Sequence, residues 1–382
     1  MPYGNDRLIA LCQQLIRTPS LSGEEEAVAK LIERNMLDMG FDEVAIDRYG
    51  SVVGKLHGKR PGKTLLLDGH IDTVPISDRD SWNVDPFGAQ IKDGSIYGRG
   101  TSDMKGSVAA MLIAAARFNE ATGKEFAGTL AVSCTVHEEC FEGVSSREVT
   151  KNVHPDYVII GEATTGTLKI GQRGRAEVIV ETEGVSCHSS NPEKGVNAMT
   201  HMCAVMEEIE KIELNTHPLL GKGILVPTDI FSSPYPGASV VPNKCRVTYD
   251  RRTLPGETPE SVLLQVEQAI DRAKARVEGL KAKAYISEGS ERCWTGESIS
   301  AERFFPAWVT DESAELVQKA LAGLKSADID APLSHYAFCT NGSHFCGEEH
   351  IPTVGFGPSY EGSAHIANES IAIEQLEMAA KG

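Results

Sequence analysis

Five residues able to bind a cation, His70, Asp103, Glu139, Glu162 and His365, each follow a strand-like run in this 382-residue chain, and Glu138 adjoins the third. That set suits a pair of divalent ions, and the spare glutamate suits a metal-bound water that must lose a proton. His70 closes Thr64-Leu65-Leu66-Leu67-Asp68-Gly69, an apolar stretch without helical period that reads as a buried strand. Asp72, two residues on, can hold the imidazole N–H and fix the tautomer that binds metal. A lone His-x-Asp is common in ordinary turns, so its meaning depends on the other four residues.

Asp103 lies in Gly98-Arg99-Gly100-Thr101-Ser102-Asp103-Met104-Lys105-Gly106, ahead of an apolar run from Ser107 to Phe118 that reads as a buried helix. An aspartate there can cap the helix, but its two oxygens can also bridge two cations. Gly98-Arg99-Gly100 lacks the full glycine fingerprint of a phosphate loop. The strand-like Gly128 to Val136 runs into His137-Glu138-Glu139. Two adjacent glutamates at a strand end cost energy unless a cation offsets them, and they suit a division between metal ligand and proton acceptor. Spacing alone leaves open which glutamate does which. Asp156 to Gly161 leads to Glu162, and Thr353 to Gly357 precedes His365. Functional groups beyond the C-terminal ends of several strands mark the crevice of an open α/β sheet.

Mixed imidazole and carboxylate ligands without cysteine suit zinc, with cobalt or manganese as substitutes, and five ligands including a bridge imply two ions. Such a pair acidifies a shared water and polarises a carbonyl, which points to hydrolysis of an amide or ester.

On these segments, together with Gly69 to Pro75, Gly184 to Pro192, Asp250-Arg251-Arg252 and His365-Ile366-Ala367-Asn368-Glu369, the chain resembles the di-zinc exopeptidases and deacylases. These include acetylornithine deacetylase, succinyl-diaminopimelate desuccinylase, aminoacylases and carnosine-type dipeptidases. The resemblance implies that His70, Asp103 and Glu162 hold one zinc and Asp103, Glu139 and His365 the other, with Glu138 as general base and Asp72 behind His70. It also implies an inserted domain that dimerises, with His188 reaching the partner's site to stabilise the oxyanion. Arg251 would grip the substrate carboxylate, a task for which the guanidinium fork is well shaped. Asn243 falls near the oxyanion, and Ser343 is grouped with the substrate-binding residues. Ordinary readings of the three inserted-domain residues are a surface turn for His188, an internal ion pair for Arg251 and a hairpin for Asn243.

Gly171-Gln172-Arg173-Gly174-Arg175, Trp294-Thr295-Gly296, Thr340-Asn341-Gly342 and Gly355-Phe356-Gly357-Pro358 bring the chain nearer to a branch of hydrolases linked to selenium metabolism, which implies fold more than substrate. Ala163-Thr164 after Glu162, Cys187 before His188 and the loop Thr340 to His344 depart from the commoner deacylases where acyl specificity is expected. They argue against acetylornithine or succinyl-diaminopimelate as substrate. Cys187 beside His188 does not make a nucleophile and base, since adjacent residues rarely align for that and the acid cluster would go unexplained.

The length exceeds one typical core. The expected architecture is a mixed, mainly parallel α/β sheet flanked by helices over 1–174 and 289–382, with an inserted α+β domain over 175–288. From Arg175 the strands alternate, as in Ala176 to Glu181. The inserted segment has one amphipathic helix from Val196 to Leu214 with Met199, Cys203, Met206 and Ile209 on its apolar face. A second is capped at Thr258-Pro259 and carries Val262, Val266, Ile270 and Val277. Leu8, Leu11, Cys12, Leu15 and Ile16 line an N-terminal helix, and Ser22 with Glu25 reads as a capping box opening a helix that ends near Gly40.

With 37 basic against 54 acidic residues, the net charge of −17 disfavours nucleic acid and anionic membrane as partners. No stretch reaches the ~18 apolar residues of a membrane span, and the start lacks a signal-peptide pattern. Nine cysteines without any Cys-x-x-Cys read as reduced thiols, so a cytoplasmic location is expected. The expected activity is removal of an acyl group from a small carboxylate-bearing amide by a metal-bridged hydroxide. The alternative is a dipeptidase or aminopeptidase on free peptides. A carbamoyl-amino-acid hydrolase fits less well, because those relatives carry histidine where Glu162 stands. A binding protein that merely keeps the fold is disfavoured by the intact ligand set.

Overall fold

The computed structural model describes residues 3–382, which divide into two compact units. The first comprises residues up to Gln172, Ser290–Ala301 and Trp308–Gly382; the second comprises Arg173–Gly289 and Glu302–Ala307. The second unit is therefore made of two pieces where the sequence reading had one.

In chain order the structure runs α1 (Asn5–Ile16), α2 (Glu26–Asp38), β1 (Glu43–Ile46), β2 (Val52–His57), β3 (Arg60–His70), β4 (Gln90–Lys92), β5 (Ser95–Tyr97), α3 (Gly106–Thr122), β6 (Ala127–Thr135), α4 (Ser146–Val153), β7 (Tyr157–Ile160) and β8 (Leu168–Gln172). It continues with β9 (Gly174–Glu183), α5 (Ala198–Ile209), the two-residue strands β10 (Thr216–His217) and β11 (Gly221–Lys222), β12 (Ile224–Ser233), β13 (Lys244–Thr253), α6 (Pro259–Arg276) and β14 (Lys281–Ile286). The remainder is β15 (Glu288–Arg292), β16 (Ser298–Glu302), β17 (Phe304–Phe305), β18 (Trp308–Val309), α7 (Glu315–Ser326), β19 (Leu333–Tyr336), β20 (Thr353–Gly355), β21 (Ser370–Ala372) and α8 (Ile373–Lys381).

The first unit is built on a nine-stranded sheet in the order β1-β2-β6-β3-β7-β20-β8-β18, with β19 also on β8. Its centre, β6-β3-β7-β20, is parallel, while β1, β2, β18 and the β20–β8 junction are antiparallel. Alternation along the strands feeds two cores. Val52 and Val132 join the cluster with α1, α2, α3 and α8, whereas Val53, Leu66 and Ala131 join Val149 and Val153 of α4. Helices therefore cover both faces, as a buried parallel centre requires.

The second unit is an antiparallel sheet, β12-β13-β9-β14, to which β17 adds beside β9. Helices α5 and α6 contribute to its core. Thr258 and Ser261 form a reciprocal capping box for α6, which buries Val262, Val266, Ile270 and two alanines, with Val277 at the cap. The face expected for α5 is half right: Ile209 is buried and Met206 packs against the core, but Met199 and Cys203 are exposed and His201, Met202, Val205 and Glu208 are buried in their place. Glu208 is tolerated inside because Arg272, Arg276 and Lys211 neutralise it, so its type misleads a reading by polarity.

The Ser22–Glu25 capping box does not form. Glu25 is itself the N-cap of α2 and receives the Gly23 N–H, and the Ser22 hydroxyl donates to Asp72 Oδ2 at 2.7 Å. A contact 50 residues away has outcompeted the local one. Among the described residues, no helix is long and apolar enough to cross a membrane.

Candidate metal centre

The parallel strands position most of the candidate ligands. β3 ends on His70, paired with Thr135 at the end of β6, and β7 ends two residues before Glu162. Asp103 sits in the turn between β5 and α3, where Gly100 has φ +85 and an added Cβ would lie 2.9 Å from Thr73, so the turn requires glycine. His365 lies beyond β20 with φ +62, a conformation costly for histidine and common at sites fixed by their surroundings.

These loops converge. His70 Nε2 is 2.9 Å from Asp103 Oδ1, 3.3 Å from Glu162 Oε1 and 3.8 Å from Glu138 Oε2. His365 Nε2 is 3.0 Å from both Asp103 Oδ2 and Glu139 Oε2. Ligand atoms of His70, Glu138 and Glu162 lie within 4.8 Å of one another, as do those of His70, Asp103 and Glu139. His70, Asp103, Glu138, Glu139, Glu162 and His365 thus meet in one place.

His70 Nδ1 donates to the backbone oxygen of Asp72 at 3.0 Å, and the Asp72 carboxylate is farther, at 3.5 Å. The tautomer with Nε2 free for a cation is therefore set mainly by a main-chain carbonyl. The carboxylate accepts the N–H groups of Glu138 and Glu139 at 3.0 and 3.1 Å, so Asp72 holds the acid pair in place.

The cluster is electrostatically frustrated. Burial first, then the charges of Glu162, Glu142 and Glu139, push Glu138 well above the usual carboxylate range against the pull of His70. Burial and Asp103 push Glu139 up to about 7. Hydrogen bonds to Asp103 and Glu139 raise His365 to about 10. Burial opposes the charge of Asp103, yet His365 and His70 hold it below the ordinary range. Crowded buried acids of this kind are relieved by cations. Glu138 Oε1 is buried without a partner, a lone pair left for something the protein alone does not supply.

Other expected site residues have different settings. Ser343 is 1% exposed and bonds Gln172 and Cys339, a member of a buried network. Arg251 is also 1% exposed, spent on Glu257 and on the carbonyls of Ile224 and Arg252. With its guanidinium committed inside the second unit, it does not present a fork to a substrate carboxylate. Asn243 is half-buried, its backbone bonded to Gly184 and Ser233. His188 is exposed in the second unit and its Nδ1 accepts the Ser190 N–H at 3.1 Å, which leaves the ring proton on Nε2. Cys187 donates its thiol to Asn191 O.

Asn341 carries no role in the sequence reading, yet it donates to Asp68 and Thr135 at 2.9 Å and accepts the Gly143 N–H, tying the ends of β3 and β6 to the loop after the acid pair. Its only signal is an amide flanked by glycine in a polar loop. Gly357 has a plainer reason. A Cβ there would lie 2.0 Å from Gly161 O and 2.5 Å from Glu162 O, backbone that cannot swing aside. Gly357→Ala is expected to cost at least about 1–3 kcal/mol in denaturant unfolding, and wild-type stability would contradict that contact.

A helix-covered sheet with a parallel centre, bearing five side chains able to bind a cation and a spare buried acid beyond its strand ends, defines a metal-dependent hydrolase. The chain belongs to peptidase family M20/M25/M40, whose sequence pattern matches residues 66–382. It is 34% identical over 363 residues to the protein YgeY of Escherichia coli (strain K12), covering 94% of this chain and 88% of that one. It is 28% identical over 389 residues to the succinyl-diaminopimelate desuccinylase of Cereibacter sphaeroides (strain ATCC 17025 / ATH 2.4.3), covering 97% and 95%. Among solved structures, the aminopeptidase PepT of Bacillus cereus ATCC 10987 superposes with a TM-score of 0.76 at 20% identity, covering 99% of this chain and 96% of that one. The chain is thus a metallohydrolase of that peptidase family.

Proposed function

We propose that the site cleaves the amide of an N-acyl amino acid or a similar small carboxylate-bearing substrate. His70, Asp103 and Glu162 would hold one divalent ion, and Asp103, Glu139 and His365 the other. Zinc suits these ligands, with cobalt or manganese as substitutes. The observation that carries the reading is Asp103, whose two oxygens face His70 and His365 at 2.9 and 3.0 Å from separate loops. A carboxylate addressed from both sides by ligating nitrogens suits a bridge.

Bound ions would supply an acidified water and a polarised carbonyl. The protein's own residues do the rest. Glu138, with its partnerless oxygen, accepts the proton of the attacking water and returns it to the leaving amine. Asp72 fixes the backbone from which Glu138 projects. His188, exposed and with its ring proton on Nε2, would reach the site of a partner subunit and donate to the oxyanion there, and Asn243 lies on the same inserted unit.

The inserted unit would also make the dimer. β12 is an edge strand exposing Ile224, Val226, Ile230 and Phe231. Natural edges of that length and apolarity are usually covered. Light scattering is expected to give twice the 41.2 kDa chain mass, and Ile230→Arg with Phe231→Arg to give one. A monomeric wild type would end the proposal. Nine cysteines without any Cys-x-x-Cys suit a reducing cytoplasmic setting.

Proton competition gives a separate check. With Glu139 near 7 and His365 near 10 in the ion-free protein, metal uptake must displace protons, so affinity rises with pH. Zinc affinity is expected to climb at least about tenfold per pH unit between pH 6 and 8 in chelator competition, and a flat profile would contradict proton loading of the site.

The reaction is tested on metal-stripped protein with a panel of N-acetyl, N-succinyl and N-carbamoyl amino acids and dipeptides, with and without zinc, cobalt or manganese. Metal-restored turnover of an acyl class supports the proposal. Turnover only where a free α-amine is present would replace it with a dipeptidase, and silence with two ions bound would sink it.

A further inference from the structure

Glu369 is fully buried and follows His365 by four residues, yet its contacts are with the turn that carries Asp103. Oε1 accepts the N–H groups of Ser102 and Asp103 at 2.8 and 3.1 Å. Oε2 accepts Gly100 N–H at 3.1 Å and Arg99 Nη1 at 2.7 Å. Four donors fill the acceptor capacity of one carboxylate, three of them successive or near-successive backbone amides of a single turn.

The rest of the chain closes a ring around this clamp. β21 pairs with β5, and Gly98 N–H donates to Glu369 O at 2.9 Å, so the two loops leave the same pair of strands side by side. One loop runs forward to Asp103 and the other runs back to His365, and they meet where Asp103 Oδ2 lies 3.0 Å from His365 Nε2. Asn368, with φ +59, secures the outer side by accepting Asn83 N–H at 2.7 Å and donating to Ser81 O at 3.0 Å. Arg99 reaches the same loop through Ile366 O at 3.5 Å.

We propose that Glu369 is a positioning residue that sets the spacing between Asp103 and His365, and through them the affinity of one ion in particular. The inference rests on the two-ion reading above. The ion assigned to Asp103, Glu139 and His365 draws two of its three ligands from the clamped loops. The other ion takes only Asp103 from those loops and draws His70 and Glu162 from beyond β3 and β7, which Glu369 does not touch. Loosening the clamp therefore acts unequally on the two sites. A residue serving the fold alone would lower stability and leave both affinities of the folded protein unchanged.

The test is calorimetric titration of Zn²⁺ into chelator-stripped wild type and Glu369→Gln, alongside melting of the ion-free proteins. Glutamine keeps the volume but turns an N–H₂ toward donors. The expected result is one zinc affinity reduced about 10–100-fold and the other, which shares only Asp103 with the clamp, reduced clearly less. Glu369→Asp, which keeps the charge on a shorter arm, is measured in parallel and is expected to show the same inequality to a smaller degree. Equal loss at both sites, no loss at either, or failure of both variants to fold would overturn the role of Glu369. A wild type that binds a single Zn²⁺ would overturn the two-ion reading and this assignment together. A wild type that binds two, with a variant indistinguishable from it, would overturn only the latter.

Discussion

Glu138→Ala is expected to keep both ions and to hydrolyse substrate about 10²–10⁴-fold more slowly, the usual range for removing a proton-transfer group. The asymmetry between the adjacent glutamates carries the prediction. Glu139 lies 3.0 Å from the His365 nitrogen, within reach of an ion shared with Asp103, whereas Glu138 keeps one buried oxygen without a partner. Truncating Glu138 removes an acid that burial and three neighbouring glutamates already disfavour as a charge, so the fold should tolerate the change or gain from it. The neighbouring backbone stays in place, because Asp72 holds it through N–H groups that alanine retains. Glu139→Ala is the control, expected to lose one ion. The measurement is kcat together with metal content. An alanine variant at position 138 with near-wild-type turnover would remove Glu138 from the mechanism, and one that had lost an ion would make it a ligand.

Asp103→Ala should have the broader effect, since the carboxylate is assigned to both ions. Its removal leaves His70 Nε2 and His365 Nε2 without the group each faces at about hydrogen-bond distance, and leaves either ion with two protein ligands. The affinity of both sites is expected to fall more than about 100-fold, beyond the cost of disturbing a residue behind a ligand, and activity to disappear with them. Elemental analysis after dialysis reads the first effect, and circular dichroism shows whether the fold survives. Asp103→Ala protein that retained two ions per chain would refute the bridge. Loss of a single ion would assign Asp103 to one site only.

The sequence showed some levels of this organisation better than others. The catalytic strands were legible because a parallel centre buried on both faces leaves continuous apolar runs, and His70 and Glu162 stand where those runs stop. The N-terminal helix was equally clear, with the five expected positions being the five that are buried. The candidate ligands announced themselves by type, since so many acids beyond strand ends need a reason, and folding brings them together.

Contacts across long stretches of chain were not legible. Ser22 had a plausible local use as a cap and a better one at Asp72. Even a near partner could be missed, since Arg251 looked available for a substrate although Glu257, six residues on, lies against it. The packed side of α5 could not be chosen from the helix alone, because apolar residues lie on more than one side and the sheet beneath decides which is covered. Asp72 was read as a carboxylate behind a histidine. Its neighbours in space, the N–H groups of the acid pair, are 66 and 67 residues away.

The split of the second unit bears on how the chain emerges from the ribosome. Residues 302–307 supply β17, whose Phe305 is buried and which pairs with β9 after the chain has already given Ser290–Ala301 to the first unit. A nascent chain of 289 residues therefore carries a β9 whose Arg175–Ala176 end still lacks β17, and a first unit still missing β18 through α8. Neither body can finish before the other has begun, so the order of synthesis favours late, joint closure over domain-by-domain completion.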